Sequence, residues 1–449
     1  MKQRSRLSLL MIMILLLLSA CESSRDIQLD LEYPDDQLAA DKLVVWWDEG
    51  VPHDVFAVAA WEKRFADTTI EVIKYLPPPP QGLIPPNYMA PNLLEMMRDR
   101  QSPDLIVFDT RFLSLMIEAE YLDPIPDVYG LEIDYDIITE IRSIAPDLTL
   151  YALPFGRVAE GLFYNKTIFD EMQVPYPKDG MTWDEVLELA AALKRDQHSP
   201  IGITAYDSLA SQLPLRWYDP ETRRVDYDSK DWQGLLGLLL RMNDLEDMNT
   251  EERKSPMSSF SVGDTAMVAG PVYGGNGRPG LLNDEANLRL FDVDWDIVAF
   301  PIFDDGQGLQ PASHMLGIGV PVRSQNKEDA YKVMRHLLSH EVQSDNSRKG
   351  LISLRSDAEA FQDEFGASSL LAGKSVSSFF STSPRGVRDP VFEFIYFANS
   401  MLSAFVNFDK ESVWDRDTFV ELTQDNISKH IMKLYDEREL IIEEIQNRF

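Results

Sequence analysis

With 449 residues, the chain has room for up to about three average domains or for one large two-lobed fold. Hydrophobic residues make up 44% and charged residues 26%, values that exclude global disorder and fibrous architecture. Acidic residues outnumber basic ones 74 to 42, giving a net charge of −32. That balance argues against nucleic acid as a partner, since holding phosphate needs lysine and arginine in excess. The single cysteine excludes a disulfide framework and any zinc or iron–sulfur site built from cysteines.

Lys2, Arg4 and Arg6 form a basic start, and Leu9 to Leu18 is an apolar run too short for a membrane span. The run ends in Leu18-Ser19-Ala20-Cys21, which resembles the bacterial lipobox. Small residues ahead of a thiol suit cleavage and attachment of a diacylglycerol to the sulfur. Residues 1–20 therefore read as a lipoprotein signal peptide and Cys21 as the lipidation site. The alternative is an ordinary signal peptide with an incidental cysteine. Two acyl chains hold a protein on a membrane far better than one. Residues 21–41, acidic and carrying Pro34, read as a flexible stalk.

Leu43-Val44-Val45-Trp46-Trp47 predicts a buried strand. Phe56, Ala59, Ala60 and Phe65 recur at helical spacing, and Ile70 to Tyr75 alternates as a strand. Pro77 to Pro80, with Pro85, Pro86 and Pro91, predicts a stiff extended loop before a helix near Asn92. Asp104 to Phe108 is a further strand, followed by a helix bearing Phe112, Leu115, Met116 and Ala119. Strand alternating with helix implies a mostly parallel sheet covered on both faces, with ligands at the carboxyl ends of its strands. Thr182-Trp183-Asp184-Glu185 is a capping box opening a helix with Val186, Leu187, Ala190 and Leu193 on one face. Ser324 or Asn326 opens another, with Ala330, Val333, Met334, Leu337 and Leu338 in register. A last helix is predicted from about Phe419, with Ile427, Ile431 and Leu434 aligned.

No catalytic constellation rises above background. Gly275 to Gly280 has the spacing G-x-G-x-x-G, but Pro279 and the loop-like composition argue against the helix that a dinucleotide site needs directly after it. Gly373-Lys374-Ser375 lacks the first glycine of a phosphate loop, because Ser368 stands in its place. His336 and His340 share a helix face without a third metal ligand in register, and no G-x-S-x-G elbow occurs. No cofactor is implied. Aromatic residues beside polar ones at strand ends and loops remain: Trp47 with Asp48, Tyr206 with Asp207, Trp217-Tyr218-Asp219, and Tyr273 in a glycine-rich turn. Rings stacking on sugar faces, with carboxylates and guanidinium groups bonding hydroxyls, are the chemistry such sets offer.

Several segments in order resemble a known family. They are Pro103-Asp104-Leu105-Ile106, Leu153-Pro154-Phe155, Gly161-Leu162-Phe163-Tyr164-Asn165-Lys166, Met181 to Glu185, Phe260 to Met267 with Gly270, and Asp296 to Pro301. Together they resemble extracellular solute-binding protein family 1, the sugar-binding lipoproteins of ABC importers, of the maltose-binding-protein-like kind. The resemblance runs from about residue 42 to 435. It implies an α/β, two-lobed, periplasmic-binding-protein-like fold of type II, with a ligand cleft between lobes joined by hinge strands. It places crossings near Phe155–Gly161, Val298–Pro301 and Ser344–Leu354. One lobe is then residues 42–157 and 298–345, the other residues 158–297 and 346–449.

By the same resemblance the ligand-binding residues are Trp47, Asp48, Asp109, Arg111, Arg157, Tyr206, Asp207, Tyr273 and Tyr396, with Thr110 and Glu160 beside them. Trp47, Tyr206 and Tyr273 are the expected stacking faces; Val272 and Tyr273 follow Gly270-Pro271 where relatives often carry a tryptophan. The implied partners are ABC permease transmembrane subunits, a carbohydrate, and the outer face of a bacterial cell membrane through the lipid on Cys21. The implied action is binding by hinge closure, as a monomer and without catalysis. Rival readings are a surface lyase or hydrolase acting on polysaccharide, and a protein presenting ligand to a membrane sensor.

Overall fold

Two β-sheets organise the chain in the computed structural model, which describes residues 37–48, 54–75, 102–125, 132–194, 199–215, 229–245, 256–273, 293–304, 310–312, 315–380, 384–385, 442–443 and 446. In chain order the strands are β1 (Lys42–Asp48), β2 (Thr69–Tyr75), β3 (Leu105–Asp109), β4 (Leu153–Val158), β5 (Glu160–Asn165), β6 (Gly202–Ile203), β7 (Met267–Pro271), β8 (Trp295–Ala299), β9 (Gln310–Ala312), β10 (Met315–Gly319), β11 (Leu351–Ile352) and β12 (Pro384–Arg385). The first sheet has the order β2-β1-β3-β10-β4-β11 and the second β6-β7-β5-β8, while β9 and β12 form a short pair. The predicted loop at Pro77–Pro91 and the predicted helices near Asn92 and after Phe419 lie outside the described residues.

The first sheet is less parallel than the strand–helix alternation implies. β1 pairs in parallel with β2 and β3, but β10 is antiparallel to both β3 and β4, and β11 is antiparallel to β4. The reason is topological: β10 enters the sheet after the chain has returned from the second sheet, so it runs against its neighbours. β3 is buried along its whole length, which is why Leu105-Ile106-Val107-Phe108 reads as an unbroken apolar run rather than an alternating one.

Asp104 ties this sheet to a helix behind it. Its carboxylate accepts from the Val44 backbone N–H at 2.9 Å, from the Ser324 hydroxyl at 3.0 Å and from the Asn326 side-chain amide at 3.1 Å. Those last two residues precede the helix Lys327–His336. Ser324, not Asn326, supplies the oxygen at that turn, accepting from the Asn326 N–H at 3.2 Å. One buried carboxylate with three donors is satisfied where a lone one would be costly.

In the second sheet side chains alternate between two faces, as a strand requires. On β5, Leu162 and Tyr164 enter one apolar cluster and Phe163 the other. The outer cluster is closed by helices of the same lobe, including Lys166–Met172, Trp183–Leu193 and Lys230–Leu245. The inner cluster is continuous with the core of the first sheet. Phe163, Val268, Trp295 and Ile297 join Phe365, Leu371 and Phe379, which follow β11 in the chain.

Asn165 ends β5 and caps the next helix, its side-chain oxygen accepting from the Ile168 N–H at 3.3 Å. The predicted capping box is present, with Glu185 N–H donating to the Thr182 hydroxyl at 3.2 Å and Thr182 N–H to the Glu185 carboxylate at 2.8 Å.

The chain passes from the first sheet to the second between β4 and β5 with only Ala159 between them. Val298 lies inside β8 of the second sheet, and the chain re-enters the first sheet only at β10. Residues 346–352 lie on the first-sheet side, in the helix His340–Lys349 and in β11, and the stretch to Phe379 then reaches the second sheet. The lobe limits expected at 298 and 346 thus fall within elements, because a run of apolar sequence marks a strand but not the sheet it joins. This is a two-lobed α/β fold of type II.

Candidate functional site

Strand register gathers part of the expected set along one edge of the first sheet. Trp47 on β1 lies opposite Val107, Asp109 on β3 opposite Leu316, and Arg157 on β4 opposite Met315. The last residues of β1, β3 and β4 therefore end together, where the sheet gives way to the crossing strand. Asp48 ends β1 opposite Tyr75.

Asp109 and Arg111 form a closed unit. The Arg111 Nε donates to Asp109 Oδ1 at 2.8 Å, its Nη2 reaches Oδ2 at 2.5 Å, and its backbone N–H bonds Oδ1 at 3.0 Å. The carboxylate caps the short turn Thr110–Phe112 while the guanidinium forks onto it, so the two charges cancel locally. Thr110 is buried, and its hydroxyl oxygen has no hydrogen-bond partner among the described residues.

Arg157 contrasts with Arg111. It is half-buried at the end of β4 and makes no hydrogen bond or ion pair among the described residues. Burial pushes its guanidinium below the usual arginine range, and only the field of Glu140 acts in the other direction.

Two expected stacking faces are already covered. Trp47 is fully buried, its ring edge-on to Trp61 at 5.9 Å between centroids and tilted against Phe155 at 6.2 Å. It is a core residue, because alternation along β1 turns it toward the helix Ala59–Arg64 that carries Trp61. Tyr273 is 7% exposed; its ring stands edge-on to Phe56 at 4.9 Å and its hydroxyl donates to the Lys349 carbonyl at 2.6 Å. Burial pushes its phenol above the ordinary tyrosine value. Phe56 follows β1 and Lys349 ends a helix beside β11, so Tyr273 links the end of β7 to the first lobe. It holds lobes in contact and offers no open ring.

Tyr206 and Asp207 open the helix Tyr206–Ser211, and Tyr206 packs partly buried against the outer cluster. That helix reaches the crossing through a residue the sequence did not single out. The buried Ser208 hydroxyl donates to Glu160 Oε1 at 2.9 Å, one residue beyond Ala159. A small polar residue on a short helix carries no local signal of this contact. Glu160 lies opposite Pro271, and the Val272 N–H bonds the Ala159 carbonyl at 2.8 Å. The crossing thus collects Arg157, Glu160, Ser208 and Tyr273. Cys21, Trp217, Tyr218, Asp219 and Tyr396 lie outside the described residues, as does the glycine-rich stretch 275–280.

The described residues contain no group of three His, Cys, Asp or Glu that could hold a metal ion, and no helix among them is long and apolar enough to cross a membrane. His336 and His340 do not share a helix as expected: His336 ends the helix Lys327–His336 and stands edge-on to Phe65 at 5.5 Å, while His340, after the Ser339 cap, opens the helix His340–Lys349 and tilts against Phe361 at 4.9 Å.

Residues 47–344 match the family model of the bacterial extracellular solute-binding protein, about two thirds of the chain. The chain belongs to that family. The mannitol-binding protein of Pseudomonas aeruginosa is 28% identical over 149 residues, which is 30% of this chain and 33% of that protein. The arabinooligosaccharide-binding protein of Halalkalibacterium halodurans is 28% identical over 158 residues, 34% of each chain. The chain spans about a third of the length of each of these two relatives.

Solved structures of similar shape include an ABC substrate-binding protein from Listeria monocytogenes in complex with cycloalternan, at TM-score 0.62 and 16% identity, covering 87% of this chain and 99% of that one. A solute-binding protein from Agrobacterium vitis with bound D-mannitol follows at TM-score 0.58 and 15% identity, covering 88% and 99%. These likenesses establish the fold. Family membership agrees with the order of motifs from Pro103 to Pro301, and the two sheets joined at Ala159 are the family's two lobes.

Proposed function

We propose that this protein is the substrate-binding component of an ABC importer, held outside the cell membrane by a lipid on Cys21, and that it captures a carbohydrate by closing its lobes. The observation that carries the reading is the match of residues 47–344 to a family of extracellular solute-binding proteins. Relatives named for mannitol and for arabinooligosaccharide support a sugar or sugar alcohol as the solute. An oligosaccharide would span the edge from Asp48 to Arg157 and reach across to Tyr206 and Asp207. The role is binding and delivery to permease subunits by a monomer, with no bond broken. A ligand that bridges both lobes shifts the open–closed equilibrium only by its differential affinity for the two states.

A panel of monosaccharides, sugar alcohols and oligosaccharides tests this by thermal shift. A true solute at about 100 times its Kd adds ~2.7 kcal/mol of stability and raises the melting temperature. A panel in which no sugar moves the melting temperature ends the carbohydrate reading. Labelling of the expressed chain with radioactive palmitate, lost in C21S, checks the anchor.

A further inference from the structure

The two arginines at the edge of the first sheet differ in what their charge is doing. Arg111 is spent on Asp109 through a two-point fork at 2.8 and 2.5 Å. Arg157 sits two strands away across β10, half-buried, without a hydrogen bond or ion pair among the described residues. Glu140 is near enough to favour its charge but does not bond it. Glu160, on the far side of Ala159, directs one oxygen to Ser208. A half-buried guanidinium that bonds no anion among the described residues keeps its planar fork available, and that fork matches an oxyanion at two points.

We infer that the solute carries an anionic group, a carboxylate or a phosphate on a sugar, and that Arg157 is the residue that reads it. The inference rests on the carbohydrate reading above and narrows it to acidic sugars. An acid group placed on Arg157 at the base of the crossing neutralises an arginine that has no ion-pair partner among the described residues, while the Asp109–Arg111 unit remains closed. The excess of acidic residues over the whole chain, 74 against 42, makes the choice selective rather than general. Away from a local arginine the field repels anions, so a polyanion gains nothing from long-range steering. Specificity then comes from contact, and from the unpaired charge left behind when a neutral analogue binds.

The test uses the full soluble chain and isothermal titration with matched probes: galactose against galacturonate, glucose against glucuronate and glucose 6-phosphate, and maltotriose against trigalacturonate. The expected result is binding of an acidic member with its neutral partner weaker by about 10- to 100-fold, the size of a lost charge-assisted hydrogen bond. R157Q loses that preference, and R157K, which keeps the charge but not the fork, retains part of it. The uronates and the phosphate separate the two sources of the anion. Unliganded melting of R157Q within a few degrees of the parent, or above it, establishes that the variant folds.

Neutral sugars that bind while their acidic partners do not overturn this inference and leave the carbohydrate reading standing. Acidic sugars that bind R157Q as tightly as the parent also overturn it. Silence across every sugar, neutral and acidic, removes both readings together.

Discussion

The two faces of the second sheet are built from the same strands and do different work. The outer face is closed by its own helices: Trp183 packs edge-on to Phe300 at 5.5 Å and donates its indole N–H to Gln212 at 3.0 Å, which in turn donates to the Pro301 carbonyl at 2.7 Å. The inner face is closed by chain that arrives from the first lobe. Phe379 reaches Phe365 at 5.8 Å, Lys374 lies over the Trp295 ring at 4.4 Å and donates to its carbonyl at 2.7 Å, and Ser375 and Ser378 bond Asp296 and Asp179. The outer face therefore holds the lobe together, and the inner face joins it to its neighbour. A hinge with a shared apolar core moves as a packed unit along a limited path, because close-packed interiors switch between arrangements rather than deform continuously.

Four measurements sharpen or break that contrast. The largest effect is expected for W183A, which leaves a cavity on the outer face and removes the indole donor to Gln212. Urea unfolding should show a loss of about 3–5 kcal/mol, and solute affinity of the protein that remains folded should hardly change. F379A on the inner face is expected to cost about 3 kcal/mol and to weaken solute binding as well, because the link between lobes loosens. Equal effects of the two variants on affinity would abolish the distinction drawn between the faces.

T182A removes a cap that serves only the outer helix. A loss of about 1 kcal/mol in stability, with unchanged affinity, is expected from the same urea titration. Smallest at neutral pH is a titration of the outer face. Burial, with Asp296 second, pushes the Tyr164 phenol up to about 12 from an ordinary value of 10.0. A raised value means that the folded protein keeps the proton while the unfolded chain gives it up. The stability it brings is therefore full below pH 10 and is lost as pH rises from about 10 to about 12. Y164F should flatten that part of the stability profile and leave the profile at pH 7 in place.

How much of this was legible in the sequence depends on the range of the interaction that decides it. The strand Leu43–Trp47, the capping box at Thr182 and the family motifs were legible, because apolar period and caps act within a few residues. Gly263, in the motif Phe260 to Met267, is also local: its φ of +85° closes the helix Pro256–Ser261, and a left-handed turn favours glycine. The stacking faces were misjudged for the opposite reason. An aromatic beside an acid looks the same in sequence whether its ring meets solvent or core, and for Trp47 and Tyr273 the decision belonged to Trp61 on the next helix and to Phe155, Phe56 and Lys349, which are distant in the chain. Gly161 shows the same limit, since a Cβ there would lie 2.9 Å from the Val298 carbonyl and 3.0 Å from the Phe379 ring.

By itself, then, the sequence determined the family and the local elements such as the strand Leu43–Trp47 and the capping box at Thr182, since composition, period and ordered motifs are properties of the chain alone. Only the tertiary structure decided which sheet each strand joins, which aromatic rings are spent on the core, and which of two arginines at the same edge is forked onto a carboxylate. Those depend on what lies within a few ångströms in space, and residues hundreds apart in the chain settle it.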